Sequence, residues 1–416
     1  MRNRTSALLI AALIGLSGAV PQAAKASGAI IYVGPGGGSG GCLEPLYVTD
    51  GTADEVQINQ ALDDAHNGDT VELCAARFEL ANDVYYHVDV LGDAISLIGQ
   101  GSDLTIIDGN SLWNLFTLDT HAADVTVDGI SFVDGFAGWG SALLAFNVDA
   151  YESSFTITNC VFTGNHNDND GGAVVVEYGS VDVSGSTFTD NTAQSDGGAI
   201  QAYIVTVHDS VFSGNAAQYS GGAISADTSL AVYDSTFTEN IALKSWGGAI
   251  RVRSSDLTIE RSTFTGNQGA REGGAVAAGS GSAVTITDSV FTANRSSSGN
   301  GDYGGALAQS GGSLAIYGST FTGNTADYGG AMDVWNGATM LLWNTVVTRN
   351  IASQWGGAIA TDAVVTSAEI KGIRLSGNRA KRGRGLYLYG DKALMRTSSK
   401  VWIKNRIPAA DIYIHP

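Results

Sequence analysis

Residues 321–335 read FTGNTADYGGAMDVW, and variants of this stretch recur along the chain. The motif Phe-x-x-Asn, in which another residue sometimes replaces the aromatic one, occurs nine times. Its asparagines lie 24 to 30 residues apart, at Asn165, Asn191, Asn215, Asn240, Asn267, Asn294, Asn324, Asn350 and Asn378. In most copies, Gly-Gly-Ala and an aliphatic residue follow within five to seven residues. The chain therefore contains an internal repeat, and such a repeat decides the fold.

An alternating strand precedes the Phe of each copy, as in LTIE at 257–260 and VTIT at 284–287. Short strands joined by Gly and Asn turns are typical of coils that stack at the strand spacing of about 4.8 Å. Leucine-rich repeats have a similar length but need a Leu framework that is missing here, and a propeller blade needs about 40 residues. The repeat therefore predicts an all-β fold, a single-stranded right-handed parallel β-helix.

The repeated residues have structural roles in such a fold. The Phe side chains are expected to stack inside the tube, and the Asn side chains to form a ladder that binds the turn backbone of neighbouring coils. Gly-Gly permits a tight bend with positive φ where the chain enters the next strand. We therefore interpret these columns as scaffold, and look for function in the residues that vary between coils.

The two ends differ from the repeat. Arg2 and Arg4 precede a short apolar run and AKA at 24–26 suits a cleavage site, so residues 1–26 are interpreted as a signal peptide; the alternative is an N-terminal anchor. Residues 27–130 are assigned to an N-terminal cap with a capping helix at 54–66 and the first coils, residues 131–390 to the β-helix repeats, and residues 391–416 to a basic C-terminal cap. We expect a secreted protein, extracellular or at the cell surface, with no transmembrane segment after signal cleavage.

The charge is uneven along the chain. Residues 27–370 carry 8 basic and 39 acidic groups, a net charge of −31 (8 minus 39), whereas residues 371–416 hold 11 of the 22 Lys and Arg. So acidic a body is not suited to nucleic acid. Five of the eight basic groups nevertheless fall within 28 residues, at Lys244, Arg251, Arg253, Arg261 and Arg271. This cluster indicates a local purpose.

The three cysteines are too few for a disulfide scaffold. Cys42 and Cys74 can pair in an oxidising compartment, and Cys160 is expected to be a small core residue. No Cys and His spacing suggests a zinc site, so no metal site is predicted.

The paired motifs FTDN and GGAI at 188–200, and their copies at 212–224 and 237–250, resemble the repeat of the chlamydial-type polymorphic outer membrane proteins. The opening segment, through GDTVEL to LIGQGSDLTIIDG at 97–109, looks like the first coils of the pectate-lyase-like superfamily. The first resemblance implies a surface-displayed, adhesive protein. The second implies relatives that include polysaccharide lyases and glycosidases, although this fold hosts binding proteins as readily as enzymes.

The strand after Gly-Gly-Ala is where the coils differ. If its aliphatic residue points inward, the residues one and three places later are expected to point outward. Ala277, Gly279, Ala308 and Ser310 then leave a hollow of small residues. We assign the ligand-binding role to the residues around and along this face, namely Tyr203, Arg271, Glu272, Tyr303, Tyr328, Asp333 and Trp335. Aromatic plates beside arginine forks suit a carbohydrate, with the arginines holding carboxylate or sulfate.

Three functions remain open. The preferred one is binding of an extracellular polysaccharide or cell-surface glycan, with no cofactor required. The alternative is a polysaccharide-degrading enzyme, foremost a lyase acting on an anionic chain, in which Arg251, Arg253 and Asp227 are catalytic and Ca²⁺ can assist. A glycoside hydrolase would need two carboxylates, but Asp227 and Asp333 lie four coils apart, about 19 Å; Asp227 with Glu272 is nearer. The third is a purely structural surface protein, with Asp227 and Arg253 forming a surface ion pair.

Overall fold

The computed structural model describes residues 28–36, 42, 45–87, 93–111, 114–120, 123–137, 142–147, 153–254, 256–297, 299, 301–361, 367–389, 395–397, 402–404 and 412–415. All strand pairs within them are parallel, and the chain winds as a right-handed β-helix, as the repeat predicts. The expected signal peptide lies outside the described residues. Within the described ranges, no helix has the length and apolar character of a membrane span.

Each coil contributes to four ribbons of stacked strands. Ribbon 1 follows Gly-Gly-Ala and contains Tyr85–His87, Phe116–Thr120, Leu143–Asn147, Val174–Ser184, Ile200–His208, Ile224–Tyr233, Ile250–Val252, Val276–Ala278, Leu307–Ser310, Met332–Trp335, Ile359–Ala360, Leu386–Tyr389 and Ile412–His415. Ribbon 2 precedes the Phe position and contains Ile30–Pro35, Tyr47–Thr49, Asp69–Leu73, Asp93–Gly99, Ala123–Asp128, Ser154–Thr158, Asp256–Glu260, Ala283–Thr287, Ser313–Tyr317, Thr339–Trp343, Ser367–Lys371 and Met395–Thr397. The strands Val174–Ser184, Ile200–His208 and Ile224–Tyr233 run through both ribbons.

Two sheets of shorter strands close each coil. Ribbon 3 carries the Phe column and contains Arg77–Glu79, Ile106–Asp108, Ser131–Val133, Val161–Thr163, Thr187–Thr189, Val211–Ser213, Thr236–Thr238, Thr263–Thr265, Val290–Thr292, Thr320–Thr322, Val346–Thr348, Arg374–Ser376 and Trp402–Lys404. Ribbon 4 follows the Asn column and contains Phe136–Ala137, His166–Asn167, Thr192–Ala193, Ala216–Ala217, Ile241–Ala242, Gln268–Gly269, Arg295–Ser296, Thr325–Tyr328 and Ile351–Trp355.

The Phe column fills the tube. Seven rings from Phe162 to Phe321 have no exposed surface, and their centroids are 4.6–4.8 Å apart with nearly parallel planes. This distance equals the spacing of the coils, because each ring lies directly over the ring of the next coil. The predicted stack is confirmed.

The Asn column forms the predicted ladder. Nδ2 of Asn240 donates to the backbone oxygen of Phe212 and to Oδ1 of Asn267, at 3.0 and 2.9 Å. In turn, Oδ1 of Asn240 accepts from the backbone N–H and Nδ2 of Asn215. The same four bonds repeat from coil to coil, so each buried amide satisfies backbone groups that would otherwise lack partners.

The N-terminal end carries the helix α1, Glu55–Asp64, within the predicted range. Its Ile58, Ala61 and Leu62 are fully buried in the same core as the coils. Cys42 and Cys74 form a disulfide with Cα atoms 5.5 Å apart, and Cys160 is free and buried. At the C-terminal end, the strands of residues 391–416 that are described pair in parallel with the last coils. A capping role for that segment remains a prediction.

Candidate functional site

Ribbon 1 brings the variable residues into register. Arg251 pairs with Ser225 on one side and with Ala277 on the other, and the same column continues through Ala308 to Asp333. The predicted columns are therefore present. The column that contains Ser225, Arg251 and Asp333 was predicted to be exposed, but these three side chains are buried.

The first outward column is covered. Ser225 and Asp333 have no exposed surface, and Arg251 is only 6% exposed. The residues just before Gly-Gly, such as Trp246 and Glu272, pair by parallel bridges and form a continuous row, which we call the rim.

Asp333 is thus a correction to the sequence analysis. It was expected to contact a ligand, but its side chain is entirely buried beneath this surface. We therefore do not retain it as a ligand contact. Trp335, two residues later, is partly exposed.

Three of the four small residues predicted to leave a hollow, Ala277, Gly279 and Ser310, line a groove, whereas Ala308 is buried and does not line it. This groove has a volume of about 300 Å³, and we call it the arginine–aromatic groove. Its lining includes Trp246, Arg251, Arg253, Glu272, Ala277, Gly279, Ser310 and Trp335. Gly279 is required in the floor, because a Cβ there would lie 1.8 Å from the backbone oxygen of Arg253.

An ion-pair cluster lies at one end of this groove. Nη1 of Arg251 is 3.4 Å from Oδ2 of Asp196 and 3.9 Å from Oδ1 of Asp227. Nε of Arg253 is 3.3 Å from the same Oδ1. Trp246 lies beside the pair, with the centre of its ring 6.0 Å from Cζ of Arg251. The three residues proposed as catalytic are therefore together, and Asp196 is a partner that the sequence analysis did not include.

Burial sets the electrostatics of this cluster. It lowers the pKa of Arg251, and the neighbouring Asp196 opposes that shift. It also raises the pKa of Asp196, while Arg251 lowers it. An arginine stays protonated under such shifts, so Arg251 is a fixed cation. Arg253 is the accessible one, since 61% of its side chain is exposed.

Aromatic side chains continue from the groove along the rim. Tyr303 stacks on Tyr328 with centroids 5.2 Å apart, and its ring lies 5.7 Å from that of Trp335. The ring centroid of Trp355 lies 5.1 Å from that of Tyr328 and 5.0 Å from that of Tyr387. Trp355 and Tyr387 were not predicted as site residues, although their positions in the same two columns were the available signal.

Two predicted residues lie apart from the arginine–aromatic groove. Arg271 is exposed next to the rim and does not line this groove. Tyr203 lines a second groove nearer the N-terminus, and Asp227 does so too, whereas Glu272 lines the first. The possible hydrolase pair of Asp227 and Glu272 is therefore divided between two grooves.

The second groove, which we call the acidic groove, has a volume of about 480 Å³. Its lining is Leu144, Asn167, Asn169, Asp170, Val175, Val176, Glu177, Tyr178, Gln201, Ala202, Tyr203 and Asp227. Four of these lining residues were not predicted as site residues: Asp170, Glu177, Tyr178 and Gln201. Asp170 occupies the rim column, and Glu177 and Gln201 occupy the strand columns. These coils contain no arginine in those columns, and it was the arginines that indicated the first groove.

In the described part of the chain, no group of three or more His, Cys, Asp or Glu side chains is arranged to hold a metal ion. Assistance by Ca²⁺ remains a prediction.

Comparison with known proteins agrees with this architecture. Residues 144–344 match the family model described as right handed beta helix region. No curated protein sequence is significantly similar to the chain.

Several solved structures resemble the chain at low identity. A mutant of the PL6 family alginate lyase AlyGC has a TM-score of 0.51 at 13% identity, covering 86% of this chain and 52% of that chain. Another structure of AlyGC has a TM-score of 0.46 at 13% identity, covering 93% and 53%. The A-module of a mannuronan C-5 epimerase from Azotobacter vinelandii has a TM-score of 0.35 at 15% identity, covering 86% and 97%. The chain spans about half the length of the alginate lyase structures, and at these identities the likeness concerns the fold alone, a right-handed parallel β-helix.

Proposed function

We propose that this protein is an extracellular, surface-associated β-helix that binds an acidic glycan along ribbon 1. The observation that carries the proposal is the arginine–aromatic groove, which is lined by the exposed side chain of Arg253 together with Trp246 and Trp335. Arginine holds a carboxylate or sulfate with two parallel hydrogen bonds, and aromatic rings stack on the apolar faces of sugars. The small-residue floor leaves room for the sugar ring.

Further support comes from the repeat itself. The FTDN and GGAI motifs resemble the repeat of chlamydial-type polymorphic outer membrane proteins, whose members are surface-displayed and often adhesive. The disulfide between Cys42 and Cys74 suits an oxidising compartment. Both observations agree with secretion after removal of a signal peptide.

Binding is tested with a uronate oligosaccharide titrated calorimetrically into the full chain. Replacing Arg253 by Ala removes the accessible cation, and we expect the affinity to fall about ten-fold or more. Trp335→Ala is expected to have a similar effect through lost ring stacking. The control is Arg261→Ala, because Arg261 is also exposed but pairs with Asp234 and Glu260 away from the groove. Equal affinity in all four proteins, or none in the wild type, would reject the proposal.

The alternative is a lyase, and the cluster of Arg251, Arg253 and Asp227 beside the groove is what favours it. β-Elimination from a uronate needs a base near the C5 proton and a cation at the carboxylate. The same incubation distinguishes the two functions, because a lyase produces unsaturated uronates that absorb in the ultraviolet. Binding without a rise in absorbance supports the binding protein, and a rise abolished by Arg253→Ala supports the enzyme. Neither signal is expected from a purely structural protein.

A further inference from the structure

The acidic groove has a chemistry opposite to that of the arginine–aromatic groove. We propose that it binds a sugar unit that carries a protonated amine, on the same glycan whose acidic unit occupies the arginine–aromatic groove. The inference rests on the proposed function for its second half, since it assumes one polymer along ribbon 1. It assigns a ligand to a groove that the glycan-binding proposal leaves unused.

The charge of the groove is the first argument. Asp227 already faces Arg251 and Arg253, so its charge is offset. Glu177 and Asp170 both line the groove, and neither has a cationic side chain within 4 Å among the residues that the structure describes. Asp170 accepts a hydrogen bond from the backbone N–H of Asp196 and interacts with Arg251 at longer range. Burial, and secondarily the carboxylate of Asp170, raises the pKa of Glu177. A cation in the groove would lower the pKa of Glu177 again, because a nearby positive charge favours the ionised carboxylate.

The shape and the polar contacts of the groove favour a sugar. Tyr178 and Tyr203 line the groove and contact each other, with ring centroids 5.4 Å apart and planes that differ by 52°. The pair offers aromatic surface on which the apolar face of a sugar can pack. Nε2 of Gln201 donates to Oδ2 of Asp227 at 3.2 Å, and this bond fixes the amide in the groove wall. The volume of about 480 Å³ exceeds that of the arginine–aromatic groove. Such a site accommodates a pyranose ring rather than a bare ion.

The position of the groove links it to its neighbour. Glu177, Tyr203, Asp227 and Arg253 each follow the last paired residue of ribbon 1 in four successive coils. Three coil spacings separate Glu177 from Arg253, about 14 Å along the axis. A linear glycan on this face therefore meets carboxylates first and arginines next. A polymer with both amine and carboxylate units matches that order.

The test uses two probes of equal length, a tetramer of glucosamine and a tetramer of N-acetylglucosamine. Acetylation removes the charge of the amine and keeps the ring. With the full chain, we expect the glucosamine tetramer to bind about ten-fold more tightly or better, and more weakly at high salt. Glu177→Gln and Asp170→Asn should each remove most of that preference, whereas Glu177→Gln keeps the wild-type affinity for a uronate oligosaccharide. Glu260→Gln, at an exposed site on ribbon 2, is the matched control.

Equal binding of the two tetramers, or a preference that survives Glu177→Gln, would overturn the inference. A tetralysine peptide that binds as tightly as the glucosamine tetramer would also overturn it, because the groove would then recognise basic peptides. The outcome is separate from that of the glycan-binding proposal. Failure of the uronate oligosaccharide to bind rejects the proposed function, while failure of the glucosamine tetramer rejects only the acidic groove as a site for amines.

Discussion

Charged residues on ribbon 1 differ in their burial and in the charges of their neighbours. Arg251 is buried but has two carboxylates within 4 Å, whereas Arg253 reaches solvent. Glu177 is partly buried and has Asp170 as its electrostatic neighbour. A partly buried acid beside another acid is disfavoured in its charged form. Its ionisation must therefore oppose folding.

This gives a prediction about pH. The pKa of Glu177 in the folded chain lies above its ordinary value of 4.5, which we take for the unfolded chain. The stability associated with the protonated form is fully present below 4.5 and is lost as the pH rises through the folded value. Glu177→Gln should therefore raise the thermal midpoint at about pH 7, and the gain should disappear as the pH falls below the ordinary value.

The measurement is thermal unfolding of wild type and Glu177→Gln across that pH range. Glu260→Gln serves as a control, because Glu260 pairs with Arg261 and should lose rather than gain stability. A Glu177→Gln variant that is less stable than wild type at neutral pH would show that the carboxylate is held by favourable contacts instead.

At the scale of the element, the ladders hold one coil to the next. Each Asn of the column makes bonds to the coils on both sides, and each Phe ring stacks on its two neighbours. Because every coil contacts only its neighbours, a defect in one ladder position weakens two interfaces. The ladders therefore carry much of the coupling between coils.

The ladder predicts a large effect from one truncation. Asn240→Ala leaves the backbone oxygen of Phe212 and the backbone N–H of Asn215 buried without their partners. Since each such group costs about 1–3 kcal/mol, we expect a loss of about 3 kcal/mol or more in unfolding free energy. Urea denaturation checks this, with Thr258→Ala on ribbon 2 as a control of small effect. A loss below about 1 kcal/mol would mean that the coils reclose without the amide.

The columns of the β-helix could be predicted from the sequence, but the burial of individual side chains could not. Alternation and the repeated motif were sufficient for the Phe stack, the Asn ladder and the small-residue groove, because those depend only on which residues share a column. The burial of Asp333 could not be foreseen in this way. The repeat places Asp333 in a strand column but does not show what packs over that column. The acidic groove was missed for a related reason, since part of its wall comes from Asn167 of ribbon 4 and from Asn169, which lie outside the columns of ribbon 1.

At the scale of the whole molecule, the coils arrange chemistry along one axis. Ribbon 1 and the rim together carry first the acidic groove, then the arginine cluster, and finally the row of aromatic rings from Tyr303 to Trp355. A solenoid is well suited to this arrangement, because a substitution in one coil changes one position along a polymer without altering the others. The fold supplies the track, and the departures from the repeat determine what binds to it.

The central claim is that an acidic glycan lies along ribbon 1 over the arginine–aromatic groove. The most direct measurement is a crystal structure of the full chain with a uronate oligosaccharide. We predict a sugar carboxylate paired with the guanidinium of Arg253, and sugar rings packed against Trp246 and Trp335. Electron density for the sugar on ribbon 2 or ribbon 3, with an empty arginine–aromatic groove, would contradict the account.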